Sequence, residues 1–101
     1  MLTVNIAWIA PTVNVDGTTL TDLAGYRVYR ALGGTPQALL TTLGLVTTYP
    51  DTAVPSVSQS VTYQVSAIDN KGNERPKSNN AMVTVDVNPP AAPTGLTAVL
   101  A

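Results

Sequence analysis

Asp16 and Asp22 lie in one polar stretch, TVNVDGTTLTD (residues 12–22), and are the nearest approach in this sequence to a working carboxylate pair. Glycoside hydrolysis needs two such groups flanking a cleft, one of them with its pKa raised by burial. Two aspartates among Thr and Asn, the first followed by Gly17, fit turn and cap positions better. Asp69, Asn73 and Glu74 raise the question of calcium, but they lack the spacing of an EF-hand loop and bring too few carboxylates. No metal site is expected. Lys71, Arg75 and Lys77 place three of the five basic residues in or near the loop 69–77. With Tyr29 as an exposed aromatic they form a candidate partner-binding patch; a solvated loop balanced by Asp69 and Glu74 is the competing reading.

The residue types that are missing narrow the chemistry further. The chain has no Cys, which excludes disulfides, thiolate nucleophiles and Cys-ligated zinc. It has no His, which removes the commonest general base and metal ligand. There is no Gly-x-Ser-x-Gly elbow, phosphate-binding glycine loop or dinucleotide fingerprint. Neither catalysis nor a cofactor is expected. A net charge of −1 gives no general attraction to nucleic acid or an anionic membrane. No apolar run is long enough to span a bilayer, and Met1-Leu2-Thr3-Val4 does not read as a signal peptide.

These residues need a scaffold, and the hydrophobic pattern supplies one. At 101 residues there is room for one domain, and 45% hydrophobic against 11% charged residues argues against disorder. Short runs alternate with period two and are broken by Gly, Pro, Asn and Asp, which predicts an all-β chain. The expected strands are 2–8, 23–30, 37–40, 45–49 (closed by Pro50-Asp51), 61–68 and 81–87. Leu2, Val4, Ile6 and Trp8 share one face of the first. Ala24, Tyr26 and Val28 face inward on the second, with Arg27 and Tyr29 outward. Val61, Tyr63, Val65 and Ala67 share a face of the fifth, and Ala81, Val83, Val85 and Val87 a face of the last. Asp16-Gly17 and Asn70-Lys71-Gly72 are the expected turns, Gly72 at positive φ. Six strands with one apolar face each require two packed sheets. Trp8 and Tyr26 are then core residues, while Tyr29 and Tyr49 are too isolated to make a sugar-binding platform.

The motifs Ile6-x-Trp8-x-x-Pro11, LAGYRVYR (23–30), TTYPDT (47–52) and TYQVSAIDNKGNE (62–74), with Ser78 ahead of the last alternating run, occur in the order of a known fold. The sequence resembles a bacterial fibronectin type III domain over nearly its whole length. The resemblance implies an immunoglobulin-like sandwich whose strands B to G occupy residues 1–87. It makes Tyr63 the tyrosine corner, its phenol bonded to backbone a few residues upstream. It implies a structural or spacer module of a tandem-repeat extracellular, surface or virion protein, with adjacent domains as partners. A module binding protein or glycan through the loops 12–22 and 69–77 is the alternative; no Arg-Gly-Asp motif is present.

One segment is displaced from the family pattern. Family members begin with a Pro-x-x-Pro-x-x-Leu-x-Ala strand, A, ahead of the Trp strand; here PAAPTGLTA lies at residues 90–98. Residues 88–93 then read as a Pro-rich linker and 94–101 as the A-type strand of the next or a neighbouring copy. The arrangement is that of an out-of-register or circularly permuted repeat. A strand of eight residues spans about 26 Å, whereas the linker Asn88–Ala92 reaches at most about 17 Å. The tail is therefore expected to miss its own first strand and to exchange between molecules, head to tail, through Leu96, Ala98 and Leu100.

Overall fold

A computed structural model describes residues 1–100. Those residues form no helix, and their strands are β1 (Leu2–Ala7), β2 (Leu23–Leu32), β3 (Ala38–Leu43), β4 (Thr48–Val54), β5 (Gln59–Asp69) and β6 (Ala81–Val85). All pairings are antiparallel. One sheet has the order β3-β2-β5-β6 and the other holds only β1 and β4. Between them Val28, Val54, Val61, Tyr63 and Val85 are buried, with Val4, Ile6, Trp8, Leu32, Leu40, Leu43 and Val65 packed around them. Tyr26 is buried as well, and the Trp8 ring meets it edge-on at 5.3 Å. Trp8 itself is half-buried, at the margin of the core.

The differences from the expected pattern have local causes. Pro50-Asp51 does not close the fourth strand: β4 runs through both residues, and Leu45 and Val46 are exposed ahead of it. Among the described residues β4 pairs only with β1, and an edge strand tolerates proline because its missing N–H can lie on the unpaired side. Ala24 is exposed rather than inward. The pairing of β2 with β5 shifts between Leu23↔Asp69 and Gly25↔Ile68, so Ala24 is the extra residue of a bulge. Gly25 beside it is a close approach: a Cβ there would stand 2.1 Å from the Leu43 carbonyl oxygen. On β6 the expected direction holds but burial does not. Val83 lies opposite buried Val61, on the inner face, yet is 38% exposed, and Ala81 and Val87 are exposed with it. A two-stranded sheet is too narrow to cover a four-stranded one.

The two sheets are tied by a polar link inside the sandwich. The alternation that buries Tyr26 and Val28 carries Arg30 to the same inner face of β2. Its Nη1 reaches both carboxylate oxygens of Asp51 on β4, at 3.1 and 2.9 Å, and Asp51 is 1% exposed. Tyr63 on β5 donates its hydroxyl to Asp51 Oδ2 at 2.6 Å, and the Ala53 N–H donates to Oδ1 at 3.2 Å. The phenol expected to bond upstream backbone thus bonds a buried carboxylate instead. Burial alone would raise the Asp51 pKa, but the Tyr63 hydroxyl, the Arg30 guanidinium and the Ala53 amide together hold it below the ordinary carboxylate value. Burial, and then the bond to Asp51, push the Tyr63 phenol well above its ordinary value.

This interior can be tested by substitution and by pH. Asp51→Ala leaves a guanidinium and a phenol unpaired between the sheets and should cost about 3–5 kcal/mol, with Tyr63→Phe costing about 1.5–3 kcal/mol, both measured by urea unfolding. Because the Asp51 pKa is depressed on folding, its contribution is complete above about pH 4 and disappears as pH falls through the lower folded value. Tyr63 has the opposite sign: its contribution holds below about pH 10 and is lost as pH rises beyond it. Unfolding free energies independent of pH on both flanks would contradict the assignment. Gly25→Ala should cost about 1–3 kcal/mol by the same measurement, since the obstructing atom is backbone and cannot rotate away.

Candidate functional site

Loop 69–77 is organised around Asp69. Its Oδ1 accepts the Lys71 and Asn73 amides at 3.0 and 2.8 Å, Oδ2 accepts Asn73 Nδ2 at 3.0 Å, and Arg75 Nη2 lies 3.7 Å away. Gly72 takes the expected positive φ of 84° at the turn. The Asn73 backbone amide first, then its side-chain amide, the Lys71 amide and the Arg75 charge, hold the Asp69 carboxyl below its ordinary pKa against the opposing effect of burial. A carboxylate so engaged is a loop organiser. Glu74 points elsewhere, so the three residues considered for calcium do not converge.

Glu74 lies over the outer face of the larger sheet, where Ser66 of β5 and Tyr29 of β2 both donate their hydroxyls to Oε2. Arg27 Nη1 pairs with Oε1 at 3.2 Å. The Ser66 bond, then those of Tyr29 and Arg27, lower the Glu74 pKa, and the same carboxylate raises that of Tyr29. Lys77 Nζ stands 4.0 Å from the centroid of the Tyr29 ring, a cation–π contact. Beyond Glu74 the chain follows β5 irregularly: Arg75 N–H bonds Ala67 O at 2.8 Å and Ser78 N–H bonds Val65 O at 2.7 Å.

The four residues singled out as a partner patch are therefore divided. Tyr29 and Lys77 stand together on the outer sheet face. Arg75 reaches the other way, donating to Asn14 Oδ1 at 3.3 Å, and Lys71 is exposed on the turn. The Arg75 contact braces loop 69–77 against loop 12–22, as does the Asn70 N–H bonded to Asp22 O at 2.9 Å. Asp16 and Asp22 line one open hollow of about 470 Å³ together with Arg75. Thr18 donates both its hydroxyl, at 2.6 Å, and its amide, at 3.0 Å, to Asp16, which lowers the Asp16 pKa. That is the reverse of what a general acid needs.

Two features escaped the sequence reading. Beneath the braced loops is an apolar cavity of about 260 Å³, with Trp8, Tyr26, Pro11, Leu20, Val65 and Pro76 among its walls. The buried Trp8 Nε1 has no acceptor among the described residues. Alternation placed Trp8, Tyr26 and Val65 on apolar faces, but Pro11, Leu20 and Pro76 lie outside the alternating runs, and the void depends on how loop 12–22 lies over the sheet, which no periodicity encodes.

The remaining candidate is the free side of β1. Tyr63, Val65 and Ala81 line a groove of about 410 Å³ with Ile6 and Trp8. Residues 86–100 form no strand; Leu96 and Leu100 are 95% and 98% exposed, and Ala98 is exposed between them. The Cα radius of gyration is 20.4 Å, against about 13 Å for a compact chain of this size. Comparisons with protein-family models, curated proteins and solved structures give no match.

The Glu74 cluster has a direct titration signature. Glu74→Gln should lower the Tyr29 phenol pKa towards the usual tyrosine value, read from its ring resonances across an alkaline pH series. An unmoved midpoint would show that Glu74 does not set the environment of Tyr29.

Proposed function

We propose that this chain is a non-catalytic structural module of the fibronectin type III kind. It would act as a spacer in a tandem-repeat extracellular, cell-surface or virion protein. The observation that carries the reading is the strand arrangement: β3-β2-β5-β6 facing β4-β1, with the position beside β1 open. It supports strands B to G of such a sandwich, in the order the sequence motifs require. The extracellular or surface setting rests on the resemblance alone.

The physical properties suit mechanical work. The Arg30–Asp51–Tyr63 link joins the sheets across the core, so sliding one over the other must strip a buried charge of its partners. The Pro-rich segment 88–93 favours an extended, semi-rigid connection to whatever adjoins it. Asp16, Asp69 and Glu74, which sequence reading set aside as chemistry, are engaged in turns and braces. A second reading, a protein- or glycan-binding module acting through loops 12–22 and 69–77, draws support from the apolar cavity beneath those loops.

Chemical-shift titration of the labelled protein with polysaccharides and surface-protein extracts separates the two. The spacer reading expects no saturable change; saturable shifts confined to loops 12–22 and 69–77 would replace it with the binding module. Turnover of a glycosidic or ester substrate would overturn both.

A further inference from the structure

The incomplete sheet and the unpaired tail pose one problem with one geometric solution. β1 rises from Leu2, opposite Val54, to Ala7, opposite Thr48, so its upper end lies by Trp8 and loop 69–77. β6 descends from Ala81 to Val85 and leaves at the opposite end, where Val87 N–H is still tied to Ser58 Oγ at 3.0 Å. A strand antiparallel to β1 must enter at the top; the tail departs from the bottom. The six residues of β1 cover about 20 Å, and crossing between the sheets adds about 10 Å. Six linker residues, 88–93, extend about 19 Å at the 3.1 Å per residue of a Pro-rich chain. The linker falls about 11 Å short of the top of its own β1, so docking within one molecule would use up three or four residues of the tail, Leu96 among them, before pairing began.

We infer that residues 94–100 of one copy pair antiparallel with the free edge of β1 in a second copy, giving a head-to-tail assembly. This rests on the sandwich reading above and names the occupant of its open position. Main-chain bonds to the β1 edge supply part of the recognition, as in strand addition generally. The side chains supply the rest. Leu96, Ala98 and Leu100 fall on one face of an extended strand, and that face meets the half-buried Val4, Ile6 and Trp8 and the uncovered inner face of β6 at Val83. Leu96 enters first, at the groove of Ile6, Trp8, Tyr63 and Val65. A third strand also widens the small sheet to cover what β4 and β1 leave bare. Donor and acceptor surfaces differ, so each copy gives one tail and receives one, and the assembly either closes into a ring or grows as a filament.

Sedimentation velocity on the full chain over a wide concentration range, combined with amide hydrogen exchange, tests this. The expected result is a mass that rises with concentration, with the β1 amides that face away from β4 and residues 96–100 gaining protection in step. Leu96→Asp and Leu100→Asp should each weaken association at least about tenfold while leaving β2 and β5 protected. A monomer at every concentration, with the β1 amides that face away from β4 unprotected, overturns the inference and leaves the spacer reading standing. Concentration-independent protection of the tail in a monomer overturns it in favour of docking within one molecule. Association indifferent to both substitutions assigns the contact to another surface. Loss of protection on β2 and β5 in the unaltered protein would instead refute the sandwich itself.

Discussion

A carboxylate buried between two sheets holds this sandwich in register. Asp51 receives Arg30 from the strand beneath it, Tyr63 from the neighbouring strand and an amide from its own chain. An unpaired charge in that position would be prohibitive, so β4 has to lie where Arg30 and Tyr63 can both reach it. Hydrophobic contacts are non-directional and by themselves would hold the smaller sheet less firmly in place. The polar link is directional, and through β4 it also fixes β1, whose only described partner is β4. The position of the open edge follows from the same constraint.

The poles of the molecule depend on a second kind of economy. Asp69 collects the amides of its own turn, Glu74 ties that loop to the outer face of the large sheet, and Arg75 braces it against loop 12–22. Nearly every ionisable group considered for catalysis or metal binding is consumed in shaping connections. What they leave behind is apolar space, as the cavity under Trp8 and the groove beside β1 both show. What remains on these faces is apolar shape more than free charge.

Strand existence was legible because each strand keeps one apolar face, and alternation reports that directly. The partners of Asp51 were half legible. Continuing the period from Tyr26 and Val28 places Arg30 inside, and an inward arginine calls for a buried acid; which acid depends on the sheet above. Pro50 concealed the answer, because a proline reads as a strand end unless the strand is known to be an edge. Direction but not burial could be read for Val83, since burial is a property of the opposing layer. The divided fate of Lys71, Arg75, Lys77 and Tyr29 had no sequence signal, as it depends on which way a single loop folds.

The sole tryptophan occupies an informative position. Its indole borders both the cavity beneath the loops and the groove beside β1, half-buried, with an N–H that finds no acceptor among the described residues. Any occupant of either space changes the polarity around that ring, so the chain carries an intrinsic optical sensor whose emission reports on both.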